Sequence, residues 1–437
     1  MRKWISAAAL LLSFTVGAQG DQPVDKSVEK SVDKSVDVSA QKYVKLVLAL
    51  GQHDSGYVDA YYGPKQWQKD IEALGLSKKQ IINKAQHLRM QLPDIKTVKD
   101  EMDRLRVHYL KKQLGSLIAH SKALAGIEKL DFDQQSRALY DTQAPHHKLE
   151  EFDAALADMA KMLPGEGPLY QRVDKFNRQF EIPKDKLPAI FARAIKECRD
   201  RTKVFVKLLE NENFDLEYVK DKPWGGYNWY KGNAHSLIQV NTDFPIALSR
   251  AVALGCHEGY PGHHAYNALL EDNLVKKRGW VEYSVYPLYS PQSLIAEGSA
   301  NYGIDMAFPG NEKAEFEKNV LFPMAGIDPA LSATYQKYAK LAAKLGYASN
   351  EIARSYINGE INKEQAIVLT QKYRMSTRAK AEKSISFVDA YGAYVINYNW
   401  GRDMVKAYVE KATSNEERWK RFSRLLSSPR IPSSLNW

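Results

Sequence analysis

The 437-residue chain is poor in cysteine, has one long apolar run, and carries no compact basic patch. Each scarcity excludes something. Two cysteines, Cys198 and Cys256, are too few for a disulfide scaffold in a chain of this length. Cys256 directly precedes His257, and a buried free thiol is preferred there over a Cys198–Cys256 bridge. The apolar run from Ile5 to Val16 is too short for a comfortable membrane span, and no second run follows it. Lysine and arginine (62) outnumber aspartate and glutamate (52), but the lysines are spread along helical stretches beside acidic residues. Basic residues interleaved with aromatics are missing, so nucleic-acid binding has little support. The excess positive charge suits anionic surroundings such as a cell envelope. With 44% hydrophobic and 26% charged residues the chain has an ordinary globular balance and material for a large core.

Arg2 and Lys3, the apolar run, and the small residues Val16-Gly17-Ala18 read as a secretory signal over residues 1–18, cleaved near Ala18. No cysteine lies near that site, which argues against a lipid anchor. A periplasmic or secreted location is expected, with no transmembrane segment after cleavage. Residues 19–42 contain the repeat Asp25-Lys26-Ser27-Val28, Glu29-Lys30-Ser31-Val32, Asp33-Lys34-Ser35-Val36. This is expected to be a flexible spacer, a short amphipathic helix being the alternative. Residues 43–220 read as a helical N-terminal region, with helical periodicity at 71–92, 100–125, 134–162 and 186–210. The loop Gly51 to Pro64 is rich in aromatic and polar groups, as site-lining loops often are. Residues 221–437 form the expected catalytic region. Ser236 to Asn241 is its best strand, and Pro287, Pro309 and Pro329 are breaks. The expected fold is mainly α, with a small sheet beside the helix that carries the chemistry.

That chemistry lies in Cys256-His257-Glu258-Gly259-Tyr260-Pro261-Gly262-His263-His264. In H-E-x-x-H proteins, histidines four apart on a helix present both imidazoles to one zinc ion, and the glutamate serves as general base. Here the gap is longer. On an unbroken helix His263 would be rotated by roughly 240° from His257, and His264 would lie about 10.5 Å further along the axis. Pro261 and Gly262 can break the helix, because proline lacks an amide hydrogen and glycine tolerates unusual backbone angles. A kink there would return a histidine to the side of His257. His263 is preferred as the second ligand, with His264 beside it facing substrate; the reverse assignment stays open. A helix end with surface histidines is the bland alternative. Glu297, the one carboxylate in the otherwise uncharged run Ser293 to Tyr302, must be paired, exposed or metal-bound, and it is the expected third ligand.

At these residues the sequence resembles the bacterial family grouped as domain of unknown function 885, distant relatives of the gluzincin metallopeptidases. His257 to His264 matches its H-E-x-x-P-G-H-H signature. Glu297-Gly298, Ala300 and Tyr302 resemble its E-G-x-A-x-Y element, and Tyr398, Gly401 and Arg402 its Y-x-x-G-R element. The resemblance implies a helical zinc-peptidase fold with a deep cleft, His257, His263 and Glu297 on zinc, Glu258 as base, and Tyr398 stabilising an oxyanion. His264 is a further candidate for that last role. The expected substrate is a peptide or small amide, with Arg250, Arg402 and Asp59 as candidates to catch a terminal charge. The strand at 236–241 is a candidate to pair with an extended substrate. A non-catalytic zinc-binding envelope protein and a zinc hydrolase of a non-peptide amide or ester are the alternatives. Neither oligomeric state nor site of cleavage is legible.

Overall fold

The structure, a computed structural model, describes residues 26–437, with side chains described from residue 34. The expected signal over 1–18 and the first part of the expected spacer therefore lie outside the described residues. From Lys26 onward the spacer reading needs correction. Helix α1 runs Lys26–Gly51, and Val36, Ala40, Tyr43, Val44 and Val47 are buried along it. Valines recurring every four residues fall close to the 3.6-residue period of a helix, so the charged repeat leads directly into an apolar stripe.

Helix formation elsewhere follows the periodicity, with breaks where turn chemistry intervenes. The run at 71–92 is divided between Lys65–Leu74 and Lys78–Gln91, because Gly75 turns left-handed and Ser77 caps the second helix. The run at 134–162 is also two helices, Phe132–Tyr140 and Asp153–Met162. Strand β1 (Val58–Tyr61) lies in the aromatic loop. Helices α2 (Glu101–Leu124) and α3 (Leu187–Lys203) follow. Then come β2 (Asn213–Val219), β3 (Gly226–Gly232) and β4 (His235–Asn241). Beyond the sheet lie α4 (Leu248–Leu254), α5 (His263–Leu270), β5 (Val285–Pro287), α6 (Pro291–Ala307) and α7 (Ile396–Val409). The fold is mainly α with two small sheets, as expected.

The three-stranded sheet has the order β2-β4-β3, with β4 parallel to β2 and antiparallel to β3. Since β4 is central and paired on both sides, it has no free edge for an extended substrate. That corrects the expectation for 236–241 and leaves β2 and β3 as the edge strands, of which β3 lines the cavity described below. Strand β1 pairs with β5 and thereby ties the aromatic loop to the start of α6. Among the described residues no helix is long and apolar enough to cross a membrane.

The cysteine expectation is also corrected: Cys198 of α3 is bonded to Cys256, with Cα atoms 5.4 Å apart. Gly255 packs closely on α3 beside it, since a Cβ there would lie 3.1 Å from Ile195 Cγ1. Close helix packing brings together two residues 58 apart in sequence. Replacing both cysteines by alanine is expected to lower stability by about 2–4 kcal/mol, seen as an earlier urea midpoint of the metal-free protein. An unchanged midpoint would contradict a bridge that restrains the unfolded chain.

Candidate metal centre

Helix α4 ends in a π turn over Gly255–Gly259, which carries His257 and Glu258. A π turn inserts a residue into the helical ladder, and such insertions recur at functional sites. The chain then passes through a cis Tyr260–Pro261 bond and reverses at Gly262, whose amide donates to the Cys256 carbonyl at 3.0 Å. A Cβ on Gly262 would lie 1.8 Å from the His257 carbonyl oxygen, so only glycine fits where the chain folds back. Helix α5 begins immediately, with His263 as its first residue.

This reversal brings the two imidazoles together. Nε2 of His263 lies 3.1 Å from Nε2 of His257. Glu297 on α6 approaches both, at 3.1 Å from His257 Nε2 and 3.6 Å from His263 Nε2. One ligand atom from each of the three residues lies within 4.8 Å of the others. The nitrogen tautomer of His257 suits metal binding. Its Nδ1 faces the side-chain Oδ1 of Asn301 at 3.0 Å and donates to it, leaving the Nε2 lone pair free. Asn301 in turn donates to the Tyr398 carbonyl at 2.9 Å. On the Glu297 side, the Tyr394 hydroxyl donates to Oε1 at 2.8 Å, while the buried Oε2 has no hydrogen-bond partner among the described residues. Burial works to raise the pKa of Glu297, but the facing His263 and His257 outweigh it and hold the carboxylate well below its usual range. Two imidazoles and an ionised carboxylate with an unsatisfied buried oxygen are the donor set expected of a metal site.

Glu258 is buried beside this cluster, and burial pushes its pKa up to about 7, with His257 and Arg250 opposing the rise. Its side chain occupies space left by Gly226 of β3, where a Cβ would lie 2.8 Å from Glu258 Oε1. Asn228 of β3 donates to the Glu258 carbonyl at 2.8 Å. Tyr398 on α7 lies with its ring 6.4 Å from that of His257 and is 37% exposed, facing a cavity of about 930 Å³. The same cavity is lined by His257, Glu258, His263, Glu297, Asp59 and Arg250.

Two expected residues are elsewhere. His264 is fully buried, with Nδ1 on Ser236 Oγ at 2.8 Å and Nε2 on Glu212 at 3.0 Å. Both ring nitrogens are engaged with the sheet side, one helical step around α5 from His263, so His264 neither faces substrate nor replaces His263. Arg402 is held by Asp305 at 2.6 Å and Asp403 at 3.1 Å, outside the cavity lining.

Asn301 and Tyr394 escaped the sequence reading. Asn301 was within reach of it, since it follows Glu297 by four residues and so shares its helix face. Tyr394 stands in a tyrosine-rich stretch whose spacing distinguishes none of its members. Helices α6 and α7 meet backbone to backbone: a Cβ on Gly298 would lie 2.4 Å from the Gly401 carbonyl oxygen. That contact brings Glu297 and Tyr398 into one site.

Gly298→Ala is expected to cost about 1–3 kcal/mol or more of stability through overpacking, read by urea denaturation. Asn301→Ala is expected to weaken divalent-metal affinity by about 10–100-fold, measured by competition with a chromogenic chelator. Wild-type stability in the first, or wild-type affinity in the second, would refute the corresponding contact's role.

No family model matches the chain, and no curated protein matches its sequence. Among solved structures, a protein described as a lipoprotein from Colwellia psychrerythraea is 14% identical, with a TM-score of 0.49. The match covers 83% of this chain and 69% of that one. An M32 carboxypeptidase from Deinococcus radiodurans R1 is 11% identical, with a TM-score of 0.44, and the match covers 92% of this chain and 89% of that one. Likenesses this distant carry no inference about activity, which rests on the geometry of the site.

Proposed function

We propose that this chain is an exported zinc-dependent hydrolase of peptide or related amide bonds, related to the domain of unknown function 885 proteins. The observation that carries the reading is the convergence of His257, His263 and Glu297 on one point beside a buried, unpaired glutamate at a large cavity. His257, His263 and Glu297 would hold zinc, whose Lewis acidity polarises a carbonyl and acidifies water. The nitrogen and carboxylate donor set favours zinc over the all-oxygen preference of magnesium or calcium.

The chain's own residues do the rest. Asn301 and Tyr394 orient the His257 and Glu297 side chains. Glu258, with a pKa near 7, accepts the proton of the attacking water and returns it to the leaving amine. Tyr398 supports charge developing on the scissile oxygen, because burial followed by the Glu297 and Glu258 charges holds its phenol protonated and able to donate. Edge strand β3, which contributes Gly226, Tyr227 and Asn228 to the cavity wall, suits addition of an extended peptide. Nucleic acid has no part in this reading.

The test is metal analysis and peptide-library digestion of the purified protein beside its Glu258→Gln variant. Wild type is expected to bind one zinc and cleave, with activity lost to a chelator and restored by zinc. Glu258→Gln is expected to keep its zinc and slow by roughly 10²–10⁴-fold. Full hydrolysis by the zinc-loaded variant would remove Glu258 as the base. Zinc binding without cleavage would favour a binding protein.

A further inference from the structure

A metal ligand is aimed by the groups that hold it from behind, and the three ligands here are not served alike. The His257 ring is held by Asn301 and the Glu297 carboxylate by Tyr394. His263 is different. Its Nε2 meets His257 and Glu297, but its Nδ1 has no hydrogen-bond partner among the described residues. The direction of this ring therefore has to come from the backbone, through the phase at which α5 begins.

A buried cluster behind the cavity wall sets that phase. Glu212, the residue before β2, has a side chain only 2% exposed, and its two oxygens serve different partners. Oε1 accepts from Nε of Arg199 on α3 at 2.8 Å. Oε2 accepts from the Tyr260 hydroxyl, and from Nε2 of His264 at 3.0 Å. Tyr260 and His264 flank Pro261, Gly262 and His263, so one carboxylate oxygen ties together the two ends of the reversal. On the other side of the His264 ring, Ser236 of the central strand β4 places its Oγ 2.8 Å from Nδ1.

Serine, histidine and a carboxylate in hydrogen-bonded series are also the residue types of a nucleophile relay. Ser236 and His264 are both 0% exposed, so no substrate reaches them and a second catalytic centre is excluded. Stability alone does not call for the cluster either. A buried ion pair is often no more stabilising than apolar side chains of the same volume, and its best-attested use is to fix register. Here the register is rotational. Neighbouring helical residues point about 100° apart, so holding His264 towards Glu212 and Ser236 turns His263 towards the other ligands. We propose that Glu212 is a positioning residue of the metal centre, acting through Tyr260 and His264 to fix the start of α5 and so the direction of His263. This rests on the hydrolase reading for the metal alone, and metal binding can be measured apart from turnover.

Wild type, Glu212→Gln, His264→Ala and the double variant are each titrated with zinc against a chromogenic chelator. Visible absorption of the cobalt-loaded proteins reports coordination at saturation, and the urea midpoint of the metal-free proteins reports stability. Glu212→Gln is expected to bind zinc about 10–100-fold more weakly and to shift the cobalt bands. The double variant is expected to lose no more than the weaker-binding single variant, because both changes cut one path. Tyr260→Phe, which removes a single hydroxyl, should show a smaller loss of affinity and decides the matter if Glu212→Gln does not fold. A lowered urea midpoint with wild-type zinc affinity and cobalt bands would overturn the proposal, since that is what a purely structural cluster gives. So would additive losses in the double variant, or wild-type affinity in Tyr260→Phe. Weaker zinc binding by Glu212→Gln in a protein whose wild type cleaves no peptide would sink the hydrolase reading and leave the positioning role standing. Cleavage by wild type with zinc affinity indifferent to Glu212 would do the opposite.

Discussion

The site depends on a chain reversal of a few residues between two helices. His257 ends one helix and His263 begins the next, and their ring nitrogens come within 3.1 Å because the backbone doubles back at Gly262. The approach leaves no room for a β-carbon, since it would overlap the carbonyl of His257 itself. Everything else in the cluster is arranged around that reversal. The disulfide secures the π turn to α3, Asn301 fixes the His257 ring, and Glu297 closes the third side. A regular helix would need its histidines four apart; here the same geometry is reached with a longer segment and an obligatory glycine.

The electrostatics follow from placing two buried carboxylates beside two imidazoles. Glu297 and Glu258 are both buried, yet their pKa values move in opposite directions. Glu297 faces two imidazoles and stays ionised; Glu258 lies to one side, where burial dominates and raises it. Two like groups with divergent environments are what a division between ligand and base requires. Asp59 is also raised, to about 6, chiefly by burial. The same cavity is also lined by Arg250, whose charge opposes the rise of Glu258.

Helical periodicity made most of the α-structure legible, and its failures have local causes. The valine repeat was mistaken for a spacer because its flanking residues are charged, although its four-residue period suits a helix. The strand at 236–241 was readable from its β-rich composition, but its central position was not. Its central place depends on β2, which pairs with it at a sequence separation of 22 residues. The bridge between Cys198 and Cys256 was likewise hidden, because nothing local signals that α3 packs against the π turn.

From the sequence alone came the candidate groups: an H-E pair, a proline–glycine break, further histidines, and a lone glutamate in an apolar run. Residue types and their spacing could therefore single out a candidate metal centre. Between His263 and His264 the sequence favoured His263 but left the reverse open, because adjacent residues on a helix differ by about 100° in direction and the start of α5 sets the phase. Only the tertiary structure assigned His264 to Ser236 and Glu212, and only it gathered Asn301, Tyr394 and Arg250 around the cavity. The physical reason is that a side chain's direction depends on helix phase and on packing between distant segments, and neither is written in any one stretch of residues.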